Sequence, residues 1–123
     1  MEPVPFSFEM DAAAGLVRTR VTGMFRPGDV ERYFAAQRQA VRSSGCPFGD
    51  HLALVDLRAL PVQSQEVVLE FQRRLGAGGV ARRAALVCGS ALLRLQMNRL
   101  LADRDDARTF TDEGEAERWL RAT

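Results

Sequence analysis

The sequence predicts an α/β fold: a single mixed β-sheet, built from an N-terminal antiparallel hairpin plus parallel strands joined by crossover helices, in the order β-β-α-β-α-β-α-β-α. Three observations predict it. The stretches HLALVDL (51–57) and AALVC (84–88) are short, nearly continuous apolar runs that end abruptly in polar residues, as strands buried on both faces do. Each leads into an amphipathic segment, which supplies the helical crossover that parallel strands require. The N-terminal segment alternates instead, in the manner of a half-buried hairpin.

The elements follow in order. Residues 4–10 place Val4, Phe6, Phe8 and Met10 on one face. After the turn DAAAG, residues 16–22 return as the second strand, with Gly15 available for the positive φ of the turn. Asp29 is expected to cap the first helix. Its stripe is Val30, Tyr33, Phe34, Gln37, Ala40 and Val41, and Ser43-Ser44-Gly45 ends it. The loop CPFGD leads into the first buried strand, 51–57. The second helix begins near Ser64, carries Val67, Val68, Phe71 and Leu75 on one face, and is stopped by Gly76, Gly78 and Gly79. Arg73 and Arg74 fall in its last turn, where cations suit the helix dipole. After the strand 84–88, Gly89-Ser90 turns into a third helix from 91 to about 103, with Leu92, Leu93, Met97, Leu100 and Leu101 along a broad stripe. A short strand at 107–110 follows. Thr111 is expected to cap the last helix, whose acidic first turn holds Asp112 and Glu113 and whose core contacts are Ala116, Trp119 and Leu120.

Composition narrows the chemistry. A chain of 123 residues suits one domain. Its 17 basic residues face 16 acidic ones, which leaves no global field to hold nucleic acid or an anionic membrane. All 17 are arginine, so lysine-dependent Schiff-base or phosphate chemistry has no residue to carry it. Cys46 and Cys88 make neither a disulfide framework nor a metal site, and no metal or cofactor is expected. MEPVPFSFEM has no basic start and no long apolar core, no stretch is long enough to span a bilayer, and a cytoplasmic protein is expected.

The element order, together with LALVDLR, AALVCGS and the ending RTFTDEGEAERWL, resembles the STAS-type anti-sigma-factor antagonists, in particular the small stand-alone SpoIIAA-like bacterial proteins. The resemblance covers almost the whole chain and is most specific at the ending. It implies a STAS-like fold and a regulatory role exercised through a protein partner. In the sporulation antagonists a kinase phosphorylates a serine at the start of the helix after the first buried strand, and Ser64 falls at that position. Gln63 and Gln65 stand where those proteins carry aspartate and serine.

Ser64 thus has two readings, phospho-acceptor and helix cap, and capping alone already accounts for a serine there. Asp56 and Arg58 leave the carboxyl end of the first buried strand, beyond which ligands of open α/β sheets bind. With Ser90 they are a candidate polar rim, against the plainer reading that they satisfy turn amides or pair with each other. His51 starts its strand at the opposite end and is read as partly exposed and structural, which rules out a Ser-His-Asp triad. Cys88 reads as a small buried hydrophobe. The third helix has more leucine than one buried stripe accounts for, and Leu95 lies off that stripe. Leu92, Leu95 and Met97 are therefore a candidate dimer or ligand surface. The expected function is a non-enzymatic regulatory or interaction module that engages an unidentified protein partner or a second copy of itself. The alternative is a small carrier that holds a lipid-like or other apolar ligand among Phe6, Phe8, Phe34, Phe71 and Met97.

Overall fold

The computed structural model describes residues 6–47, 49–76 and 81–122. Its elements are β1 (Phe6–Asp11), β2 (Leu16–Val21), α1 (Asp29–Ser44), β3 (Leu52–Leu57), α2 (Gln65–Gly76), β4 (Arg83–Cys88), α3 (Ala91–Leu100), β5 (Ala107–Phe110) and α4 (Glu113–Arg121). One five-stranded sheet runs in the order β1-β2-β3-β4-β5. β1 and β2 pair antiparallel, and every later pair is parallel. The expected element order and the mixed sheet are both present.

Side-chain alternation then sorts the helices. Val17 and Val21 of β2, Ala53, Val55 and Leu57 of β3, and Leu86 and Cys88 of β4 join one core with Val30, Phe34, Val67, Leu93 and Met97 from α1, α2 and α3. The opposite faces of those strands, through Leu16, Leu52, Leu54, Ala85 and Val87, meet Ala116 and Leu120 of α4, with Ala14, Phe110 and Trp119 packed against them. Three helices therefore share one face of the sheet, and α4 alone packs on the other, over β3, β4 and β5. Over β1 and β2 that second face is left polar. Glu9 sits directly across from Arg18, and Ser7 from Arg20.

Several element ends differ from expectation. Asp29 is the first helical residue, not the cap; Gly28 precedes it at φ 94°. The Asp29 carboxylate accepts from the Arg26 N–H at 2.8 Å and from the Arg32 guanidinium, and these partners, Arg32 first, hold its pKa below the usual carboxylate value. The last helix is capped by Asp112 rather than Thr111, through the Glu115 N–H at 2.9 Å. Either side chain has the chemistry; the strand ends at Phe110 as expected, and the helix starts one residue later. α3 ends at Leu100 rather than near Asp103, in a turn where Arg104 pairs with Asp106 at 2.8 Å. Gly15 takes the turn conformation expected of it, φ 62°. Val4 and the helix-stopping Gly78 and Gly79 lie outside the described residues.

His51 is the clearest correction. It is fully buried, not partly exposed. Its Nδ1 accepts from the Gly49 N–H at 3.3 Å and its carbonyl accepts from Arg82 N–H at 2.8 Å. Adjacent parallel strands cover both sides of the strand start, so position at a strand end does not bring exposure. Cys88 is buried as expected, and burial pushes its thiol up to about 11, which keeps it protonated and inert.

Burial also lowers the His51 pKa, with Asp50 opposing the shift. The unfolded chain, titrating near pH ~6.5, then takes up the proton before the folded one does. The stabilisation from neutral His51 is present above that pH and is lost as pH falls below it. His51 is the only histidine, and the depressed carboxylates act below pH ~4. Urea unfolding should therefore show stability falling from pH 7 to pH 5. His51→Gln should be less stable at pH 7 but flat across that window; a wild-type curve that is itself flat would contradict the assignment.

Candidate functional site

The candidate polar rim begins at Asp56, whose side chain leaves β3 on the α4 side. Arg58 closes a two-pronged pair on it, Nε and Nη2 each donating at 2.9 Å, and the Arg58 backbone N–H donates to the same carboxylate at 3.0 Å. Arg58 also reaches Glu113 on α4 at 3.2 Å, and Arg20 approaches Asp56 at 3.8 Å. Arg18 joins Glu113 at 3.5 Å and Glu117 at 2.8 Å, and Glu117 accepts from Arg121 at 2.9 Å. A continuous chain of alternating charges thus ties β2, β3 and the start of α4 together. The Arg58 guanidinium holds Asp56 below the ordinary carboxylate pKa, and Arg121, then Arg18, does the same for Glu117. A carboxylate held ionised by paired donors is a poor proton acceptor at neutral pH. The cluster's evident role is to hold α4 on the sheet beside the open polar strip of Ser7, Glu9, Arg18 and Arg20.

Ser90 does not join that rim. Its Oγ accepts from the Leu93 N–H at 3.1 Å and caps α3. Ser64 likewise accepts from the Val67 N–H at 3.2 Å at the start of α2. Both serines sit at the ends of helices on the three-helix face, whereas Asp56, Arg58 and Glu113 belong to the α4 face. What joins the two turns is Gly89. A Cβ built there would lie 2.3 Å from the Arg58 carbonyl oxygen, so the β4–α3 turn packs directly on the backbone leaving β3.

A second junction, absent from the sequence reading, centres on Gln63. Its buried amide oxygen accepts from the Phe25 N–H at 2.8 Å, and its amide nitrogen donates to the Pro61 carbonyl at 2.8 Å and the Gly23 carbonyl at 3.4 Å. The Gln96 side chain of α3 then pairs with both backbone groups of Gln63, each at 2.9 Å. Loop 22–28, the β3–α2 loop and α3 are locked at one point. Nothing in a lone glutamine between valine and serine distinguishes a buried amide from a solvated one.

Around this junction the surface is apolar. Among the described residues the exposed large hydrophobic side chains are Met24, Val62, Leu69, Leu92 and Leu95. All but Leu69 border the Gln63–Gln96 junction. Met24 Sδ lies 4.0 Å from the Gln63 amide, Val62 adjoins Gln63 in the chain, and Leu92 and Leu95 share the helical turn that carries Gln96. Leu92 is 70% exposed, whereas Met97 is buried. The predicted surface of Leu92, Leu95 and Met97 is therefore split. The two leucines face out, and Met97 faces the sheet, where with Phe34 and Phe71 it lines an apolar cavity of about 110 Å³. Phe6 and Phe8 are not among the lining residues; they pack with Phe25 and Tyr33.

No protein-family model matches the chain, and no curated protein does. A solved structure does: an uncharacterized protein of the DUF3478 family with a SpoIIAA-like fold, from Shewanella loihica PV-4. The likeness covers 94% of this chain and 91% of that one, with a TM-score of 0.66 and 18% sequence identity. The chain has a SpoIIAA-like fold. At that identity the likeness extends to the fold alone. Among the described residues no helix is long and apolar enough to cross a membrane.

The Gly89 contact is directly testable. Gly89→Ala must displace the Arg58 carbonyl, a rigid backbone atom, and should cost ~1–3 kcal/mol in urea denaturation. Gly114→Ala has its new Cβ 3.2 Å from the flexible Asp112 carboxylate and should change stability far less. Equal small effects at both sites would rule out the close packing of the two turns.

Proposed function

We propose that this protein is a cytoplasmic, non-enzymatic regulatory or protein-interaction module that self-associates as a homodimer through the apolar surface around Gln63 and Gln96. The observation that carries the proposal is the gathering of Met24, Val62, Leu92 and Leu95 on a junction made rigid by five hydrogen bonds from and to the two glutamines. Exposed apolar side chains concentrated in one place, on backbone that need not reorganise, favour association with low ordering cost. Charged substitutions at Leu92 and Leu95 should convert a dimer to a monomer in sedimentation velocity while leaving unfolding stability within ~0.5 kcal/mol, since both side chains are exposed. A wild-type chain that stays monomeric at every accessible concentration would refute the dimer.

Ser64 borders the same surface, one residue from Gln63. A phosphate there would rest on the first turn of α2, favoured by its amides and dipole, and would set two negative charges beside Val62. Ser64→Ala should cost ~1 kcal/mol through loss of the cap without affecting association. Ser64→Asp keeps a capping oxygen, so it should retain stability and weaken the dimer. Sedimentation and urea unfolding on the two variants separate these effects; association unchanged in Ser64→Asp would remove Ser64 from the surface.

The carrier alternative, in its lipid form, meets a size limit. Pockets that enclose drug-sized ligands run to roughly 300–1,000 Å³, and the cavity here is about 110 Å³. An acyl chain or a sterol would not fit without separating helices from the sheet.

A further inference from the structure

The cavity has a definite structural origin. Ala53 of β3, Ala84 of β4 and Ala107 of β5 are direct cross-strand partners. All three line the cavity, so a row of methyl groups crosses the sheet where the helices above would otherwise meet larger side chains. Phe34, Phe71 and Met97 form the opposite wall, and the ion pair of Arg104 and Asp106 lines it toward the surface. The cavity is partly open to solvent rather than sealed within the core. It is about three quarters of the roughly 150 Å³ apolar cavity that takes up benzene in an engineered protein.

One polar side chain from the middle of α1 also lines it. Gln37 is only 3% exposed, and among the described residues its amide forms no hydrogen bond. That amide is not sealed from solvent and can offer a donor and an acceptor into the cavity, whereas the other buried glutamine, Gln63, uses both ends of its own.

We infer that the cavity between α1, α2, α3 and the alanine row is a binding site for a compact, monocyclic apolar molecule carrying one hydrogen-bonding group, which the Gln37 amide engages. The site lies between helices and sheet and shares Gln63 with the junction beneath the surface proposed for association; ligand binding and oligomeric state are separate readouts for the two. The apolar lining supplies affinity without direction, and Gln37 supplies orientation.

Phenol and toluene, nearly equal in shape and differing in the hydroxyl, are the probes. Titrated into the full chain, phenol should raise the melting temperature and shift the methyl NMR signals of Met97, Ala53 and Ala84, binding on the order of fivefold more tightly than toluene for one uncharged hydrogen bond. Gln37→Leu should abolish that preference and keep toluene binding. Ala84→Leu should fill the floor and abolish both; Ala53→Val, a smaller change, should weaken both in case the leucine variant fails to fold. No methyl shifts up to the solubility of either probe would overturn the site. So would shifts unaltered in Ala53→Val, which would mark surface adsorption. Undiminished phenol preference in Gln37→Leu would overturn the role of Gln37.

Discussion

Each of the three crossovers advances the sheet by one strand in the same direction, and connections of a single hand then place α1, α2 and α3 on the same face. Most of the molecule depends on that constraint. The three-helix face receives most of the described aromatic side chains and forms the larger core. The other face has one nine-residue helix to cover it; α4 packs over β3, β4 and β5 and is tied to β2 through the ion pairs of Arg18. Strands under α4 are buried twice over, so they lose alternation. β2, half outside its cover, keeps Arg18 and Arg20 in alternation with Val17, Thr19 and Val21. The charge chain through Asp56, Arg58, Glu113 and Glu117 runs along the border between covered and open sheet. Ion pairs cluster there because a helix that ends in mid-sheet needs lateral fixing, and the exposed strand beside it supplies arginines. Such partly exposed pairs are individually weak, and their value is in fixing position rather than in stability.

The same constraint brings the β2–α1, β3–α2 and β4–α3 connections to one end of the sheet. Connections crowded together must either be solvated or bond one another. This chain bonds them. Gln63 and Gln96 tie two of these loops to α3, and Gly89 lets the third turn rest on the Arg58 carbonyl. Polar groups that would have needed water are satisfied internally, which leaves Met24, Val62, Leu92 and Leu95 as the face shown to solvent. Association through that face would cost little in chain ordering, because the loops beneath are already fixed.

Legibility in the sequence tracked the range of the physics involved. Burial on both faces erases alternation locally, so HLALVDL and AALVC announced β3 and β4. Turn glycines and helix-end arginines act within a few residues, and they placed Gly15 and the close of α2 well. Cap identity went wrong at Asp29 and Asp112 because two adjacent residues of suitable chemistry compete, and the choice depends on where the preceding strand or loop releases the chain. His51 was misread because its burial comes from neighbouring strands, not from its own segment. Of the site, Asp56 and Arg58 were visible as a strand-end pair and Ser64 as a cap, whereas Ser90, expected in the rim, caps α3 instead. Their separation onto opposite faces was not visible, since it follows from side-chain parity in β3 against helix placement. Gln63 carries no pattern at all, whereas Gln37 fell on the buried stripe of α1; what each amide meets is set by residues far away in the chain.

That difference between two buried glutamines bears on what the interior is for. A partly open apolar pocket of about 110 Å³ leaves contacts between helices and sheet unmade, and Gln37 sets an amide into its wall. Both features fall in the same place, at the row of three alanines. Exchanging one alanine for valine, or Gln37 for leucine, would fill that wall or make it wholly apolar by a single substitution. Departures from close packing concentrate where a chain does something other than fold. Here they concentrate beneath α1, on the face where the constraint of one-handed crossovers has gathered three helices and given them more volume to enclose than their side chains fill.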